Sequence, residues 1–297
     1  VHIPISHTLR HAIFALIATV ILTQGASAKQ PPTDAAPKID RSVLTTLTSL
    51  YGTTSTLVEH VDLATPFKTA SPWTLVVAKE ADGRGYDQDP ADNTVISLCF
   101  VKAGVPDCSE KAVRKQYREH HFDDTKRPFY QFFESKVVYL DAAHTSPLLL
   151  LRTCTYGGVN GNCGKATLLY RYDRSTDDFR LVFFGITGRN NNQETRFVEK
   201  GPLMGSVIVA YPTTDAPYTY YVEVYRWRGA ESYRQVLRYR GKTGYRDGNG
   251  LPVIDSEMPQ ILQHLGMWKP GDAPPSPDDT PTGCTRLFMR GGTEWCD

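Results

Sequence analysis

The sequence predicts an all-β fold of antiparallel sheet repeats about 55 residues long, β-propeller-like or an incomplete propeller, with short peripheral helices and local disulfides. Three observations carry this. Residues 216–241 are dense in aromatic and β-branched side chains on either side of a Gly229-Ala230-Glu231 break, the pattern of a long hairpin. The stretch Leu169-Tyr170-Arg171-Tyr172-Asp173 matches Val224-Tyr225-Arg226-Trp227-Arg228, and Phe179-Arg180-Leu181-Val182 matches Tyr233-Arg234-Gln235-Val236. The six cysteines fall into sequence neighbours, as in a chain stapled locally in an oxidising compartment.

Residues 1–28 read as a signal peptide. Arg10 is the only formal charge, an apolar run spans Ala12 to Leu22, and Ala26-Ser27-Ala28 ends it. The expectation is a periplasmic or secreted product with no transmembrane segment after signal cleavage. Residues 29–39 read as a flexible leader and 40–268 as a β-rich repeat domain with an insertion at 109–135. Residues 269–297 read as a proline-rich tail ending in a disulfide clip. The 33 basic residues nearly balance the 32 acidic ones, so no whole-chain field attracts nucleic acid. The spacing favours the pairs Cys99–Cys108, Cys154–Cys163 and Cys284–Cys296. Zinc fits poorly, because no C-x-x-C pair or neighbouring histidine is present.

In chain order, Asp40 to Tyr51 has helical periodicity, with Asp40 as its cap. Strands are expected at 57–63, 73–78, 94–102, 136–140, 148–155, 195–199 and 206–211, with hairpins at 166–184 and 216–241. The aromatic residues of the insertion, Phe129, Tyr130, Phe132 and Phe133, are expected to dock on the sheet. Asp255 to Leu265 reads as a helix capped by Asp255 or Ser256.

The last hairpin carries the candidate site. With Arg228 opposite Ser232, Trp227 faces Tyr233, Tyr225 faces Gln235, Arg226 meets Arg234, Val224 meets Val236 and Val222 meets Arg238. One face is then mostly aromatic (Tyr221, Tyr225, Trp227, Tyr233, Tyr239), the simplest core. The other is rich in arginine, with like charges opposed. Tyr220, Arg226, Arg228, Arg234, Arg238 and Arg240 are therefore the ligand-binding candidates, suited to carbohydrate, peptidoglycan carboxylates or an acidic protein. The plainer reading is an outer sheet surface whose arginines pair with loop carboxylates.

Catalytic signatures are sparse. Glu119, His120, His121, Asp123 and Asp124 form the densest potential ligand group, with His120, His121 and Asp123 as weak metal candidates, but they lack the H-E-x-x-H spacing. There is no G-x-S-x-G. The acidic loop at 82–93 and Asp247-Gly248-Asn249-Gly250 do not complete a calcium loop, and Gly157 to Gly164 lacks a Walker lysine. The reading is a non-catalytic envelope binding protein without a cofactor, whose partner is an envelope glycan or another protein. A secreted hydrolase, possibly metal-dependent, and a structural envelope component are the alternatives.

Overall fold

A computed structural model describes residues 36–80, 95–109, 113, 129–155, 164–188, 193–213, 219–229, 232–241, 253–269, 287–290 and 293–296. The chain is all-β, mostly antiparallel sheet with a few short helices. The first sheet contains β1 (Ser55–Asp62), β2 (Trp73–Glu80), β3 (Ile96–Lys102), β4 (Val105–Asp107), β5 (Phe129–Tyr139), β6 (Pro147–Thr155), β7 (Gly164–Asp173) and β8 (Asp178–Thr187). Its order is β1-β2-β3-β5-β6-β7-β8, with β4 paired to β3. The second contains β9 (Glu194–Phe197), β10 (Val207–Pro212), β11 (Tyr220–Arg228) and β12 (Ser232–Arg240), in the order β12-β11-β10-β9. A separate ribbon joins β13 (Leu287–Arg290) to β14 (Thr293–Cys296). Both large sheets are open in their hydrogen-bonded order.

Phe129 to Ser135, expected to end the insertion, opens β5 instead. Two register shifts in this strand, between Phe129 and Gln131 and between Phe132 and Glu134, bend it. The sheet curls enough for Ser135 on β5 to donate to Glu59 on β1, although β2 and β3 lie between those strands. Inside the curl, Leu75, Val77, Leu98, Leu149, Leu151 and Leu168 are buried together. Phe179 contacts the rings of Phe67, Trp73, Phe100 and Tyr172 at 5.0 to 5.6 Å.

Alternation sends the other residues of these strands to the opposite side. There α1 (Ala36–Tyr51) covers β2 and β3, placing Val43 and Leu47, one helical turn apart, against Val76, Ala78 and Val101. The helix starts before Asp40, so this residue does not cap it; its carboxylate lies 3.2 Å from His60 Nε2. Over β5 to β8 the cover is the second sheet, with Phe197, Val207 and Val209 meeting Val138, Leu148, Leu150 and Phe183. The far face of that sheet is covered by α3 (Val253–His264), where Ile254, Met258 and Ile261 pack on Ile208, Ala210, Val222 and Val224. Asp255 lies inside the helix; its buried carboxylate pairs with Arg196 of β9. A single-turn helix, α2 (Ala64–Phe67), precedes β2.

The β11–β12 hairpin starts in the expected register: Arg228 opposite Ser232, Trp227 opposite Tyr233, Arg226 opposite Arg234 and Tyr225 opposite Gln235. The next pair is Val224 with Leu237, so Val236 is an extra residue. Every later side chain of β12 therefore changes face relative to the unbroken register. Val222 meets Tyr239 and Glu223 meets Arg238. The expected single arginine face is corrected: Arg238 and Arg240 lie on the face opposite Arg226 and Arg234. Tyr239 moves to the α3 side, where its hydroxyl donates to Glu257 at 2.9 Å. The β7–β8 hairpin carries a register shift at the matching place, pairing Tyr170 with Leu181 and then Leu169 with Phe183.

Cys99 and Cys108 form a disulfide, tying β3 to the residue after β4. Cys154 is also disulfide-bonded. Cys163 and Cys284, and with them the expected Cys154–Cys163 and Cys284–Cys296 pairings, lie outside the described residues. So do residues 1–28, expected to be a signal peptide, the acidic loop at 82–93 and most of the expected insertion and tail. No described helix is long and apolar enough to cross a membrane.

Candidate ligand-binding surface

The second sheet offers its two faces unequally. On the side facing the first sheet, Tyr225 and Tyr233 are seated against Phe183, with ring centroids 5.5 and 5.7 Å away. Farther along β10 and β11 from the hairpin tip, the same face carries Tyr211, Tyr221 and Glu223, and β12 adds Arg238 and Arg240. Val209, Glu223 and Arg238 lie side by side across three strands.

Glu223 organises this group. Its side chain is 12% exposed. It accepts hydrogen bonds from the Tyr211 hydroxyl at 2.8 Å and the Tyr225 hydroxyl at 2.6 Å, and its Oε1 lies 3.1 Å from Arg238 Nε. Arg238 Nη2 donates to the Tyr211 hydroxyl at 3.3 Å, and its guanidinium carbon sits 4.8 Å over the Tyr221 ring. The Tyr211 and Tyr221 rings lie 5.6 Å apart. Arg240 Nε donates to Thr219 at 2.6 Å.

Burial, reinforced by the Glu223 carboxylate, pushes the Tyr211 and Tyr225 phenols above their ordinary value. Both hydroxyls therefore remain donors to Glu223 at neutral pH. The Tyr211 hydrogen bond, with Glu223 behind it, also raises Arg238. The guanidinium is thus held at Nε and Nη2, while half its side-chain surface remains exposed at 54% and Nη1 has no hydrogen bond among the described residues. A planar cation lying on an aromatic ring can take a carboxylate or other oxyanion with its remaining donors, while the tyrosine rings receive the C–H face of a sugar.

The six sequence candidates fall in three places. Arg238 and Arg240 join the group just described. Arg226, Arg228 and Arg234 lie near the hairpin tip. Of these, Arg226 donates to the Pro202 carbonyl at 3.4 Å and contacts Met267 Sδ at 3.3 Å. None of the three has an ion pair among the described residues. Tyr220 is 1% exposed in the core beneath α3, away from any ligand on the surface. Sequence reasoning missed Tyr211 and Glu223 as members of the group and assigned Tyr221 and Tyr225 only to the core. The available signal was the lone glutamate within the apolar and aromatic run of β11.

A second polar centre surrounds Asp177 in the β7–β8 turn. One carboxylate oxygen accepts from Trp73 Nε1 at 3.0 Å and the Tyr172 hydroxyl at 2.7 Å; the other accepts from Ser71 at 2.5 Å and faces Lys102 Nζ at 2.9 Å. These bonds, led by Ser71, hold its carboxyl well below the ordinary range. All four acceptor positions are occupied, so Asp177 serves as a clamp between the turn and β2–β3. His120, His121 and Asp123, with Glu119 and Asp124, lie outside the described residues. Among the described residues, no group of three His, Cys, Asp or Glu is placed to hold a metal.

Comparison with family models, curated proteins and solved structures gave no match.

Proposed function

We propose that this chain is an exported, non-catalytic binding protein of the bacterial envelope whose ligand is acidic, a uronic-acid-bearing glycan being the best fit. The observation carrying this reading is Arg238, fixed over Tyr221 by Glu223 and Tyr211 with donors left toward solvent. A carboxylate pairs with that fork, and the pyranose ring rests on Tyr211 and Tyr221. Arg240 adds a second cation on the same face. The export signal supplies the address. The matching register shifts in β7–β8 and β11–β12 support reading these hairpins as copies of one unit, as in an incomplete propeller.

The test is calorimetric titration with alginate oligosaccharides against neutral dextran oligosaccharides, using wild type, Arg238→Ala and Tyr221→Ala. Alginate should bind more tightly than dextran, and Arg238→Ala should weaken alginate binding about tenfold or more. Equal affinity for the two glycans, or an unchanged Arg238→Ala titration, would reject the proposal.

A further inference from the structure

We propose a second ligand site, independent of Arg238, for a carboxylate carried on an aromatic ring. It occupies the cleft between the β5–β6 turn and the β9–β10 loop. This cleft has a volume of about 830 Å³ and is lined by Val137, Tyr139, His144, Lys200, Pro202 and Met204, among others. Its apolar lining and sparse polar groups suit a small organic ligand. Tyr139 and His144 form one wall as a stacked pair, with ring centroids 4.2 Å apart and 9° between planes.

The walls are built in advance. His144 has φ +56°, unusual for a residue with a side chain, and its turn is secured at Asp141. Asp141 accepts from the Thr145 backbone N–H and hydroxyl, both at 3.0 Å, while its own carbonyl accepts from the His144 N–H at 3.1 Å. The opposite loop is closed by the Gly205 N–H to Val198 carbonyl bond at 2.8 Å. Tyr233 donates to the Gly205 carbonyl at 2.8 Å. The two loops meet where Gly205 passes Leu140: a Cβ on Gly205 would lie 2.6 Å from the Leu140 carbonyl oxygen.

The charges select the ligand. Lys136 and Glu199 neutralise each other in an ion pair. Lys200 is exposed, lines the cleft and makes no ion pair among the described residues. An apolar, ring-walled cleft whose one unpaired cation is Lys200, among the described residues, suits an aryl carboxylate better than a neutral or cationic ring.

The experiment titrates the whole protein with 2-naphthoate and, as the uncharged counterpart, 2-naphthylmethanol. Circular dichroism checks the fold of each variant. The expected result is saturable naphthoate binding below about 1 mM and at least about fivefold weaker alcohol binding. Lys200→Ala should weaken only the carboxylate, whereas Tyr139→Ala should weaken both. Arg238→Ala should leave both unchanged, separating this site from the glycan surface. The proposal is overturned by absence of saturable naphthoate binding, by equal binding of acid and alcohol, or by loss of naphthoate binding in Arg238→Ala with Lys200→Ala unaffected.

Discussion

Gly205→Ala should destabilise the protein by about 2–5 kcal/mol. Gly205 has φ +76°, and its missing side chain faces Leu140. An alanine Cβ would lie 2.6 Å from the carbonyl oxygen and 2.9 Å from the Cα of Leu140, both backbone atoms with little room to yield. The left-handed conformation costs about 1–2 kcal/mol for an L side chain, and forced separation of a packed contact costs about 1–3 kcal/mol more. Gly266→Ala provides the control: its φ is +69°, but its Cβ would meet nothing within 4 Å. That change should cost only the conformational part, about 1–2 kcal/mol. Urea unfolding, read from the midpoint at constant slope, measures both variants. Gly205→Ala should lose about 1–3 kcal/mol more than Gly266→Ala, and should also weaken naphthoate binding by displacing a cleft wall. Equal losses in the two variants would refute the close contact between these loops.

Other elements make further predictions. Because Asp177 is depressed in the folded state relative to its unfolded value near about 3.9, its contribution is present above that value and lost as pH falls toward the folded pKa. Asp177→Asn should therefore lower the melting temperature at neutral pH and flatten its decline below about pH 4; parallel wild-type and variant profiles would contradict the clamp. Replacing both Cys99 and Cys108 with serine should cost roughly 2–3 kcal/mol in urea unfolding, as expected for the short loop that the disulfide closes. No loss would show that the bond does not constrain the chain. Burial holds the Tyr239 hydroxyl protonated well above the ordinary phenol value, with Glu257 reinforcing this. In the folded protein, Tyr239→Phe should leave the phenolate absorbance gained by pH 11 unchanged; a missing early-titrating phenol would contradict burial.

Much of the fold is legible because its signals are local. The alternation of β11 and β12 specifies the four pairs nearest the turn, including Trp227 with Tyr233. The paired apolar periodicity of Val43 and Leu47 specifies the buried stripe of α1. The site is less legible because one added residue reverses a strand's faces. The trace of that bulge is an apolar doublet, Val236-Leu237, within an alternating strand; in β8 the matching extra residue, Val182, lies inside the longer apolar run Leu181 to Phe184. Once the register shifts, Arg238 meets Glu223 rather than Val222, and the arginine cluster divides. Asp177 is harder to foresee. Its partners Ser71 and Trp73 lie 106 and 104 residues away, brought together only by curling of the first sheet. The β5 boundary shifted for a similar reason: the aromatic run from Phe129 is interrupted by two bulges, which obscure the period of two.

Amide chemical-shift mapping with alginate oligosaccharides tests the binding surface most directly. Saturable shifts should concentrate at Tyr211, Tyr221, Glu223, Arg238 and Arg240 and disappear in Arg238→Ala. Shifts centred instead on Arg228 and Arg234, or no saturable shifts in the wild type, would contradict the assignment.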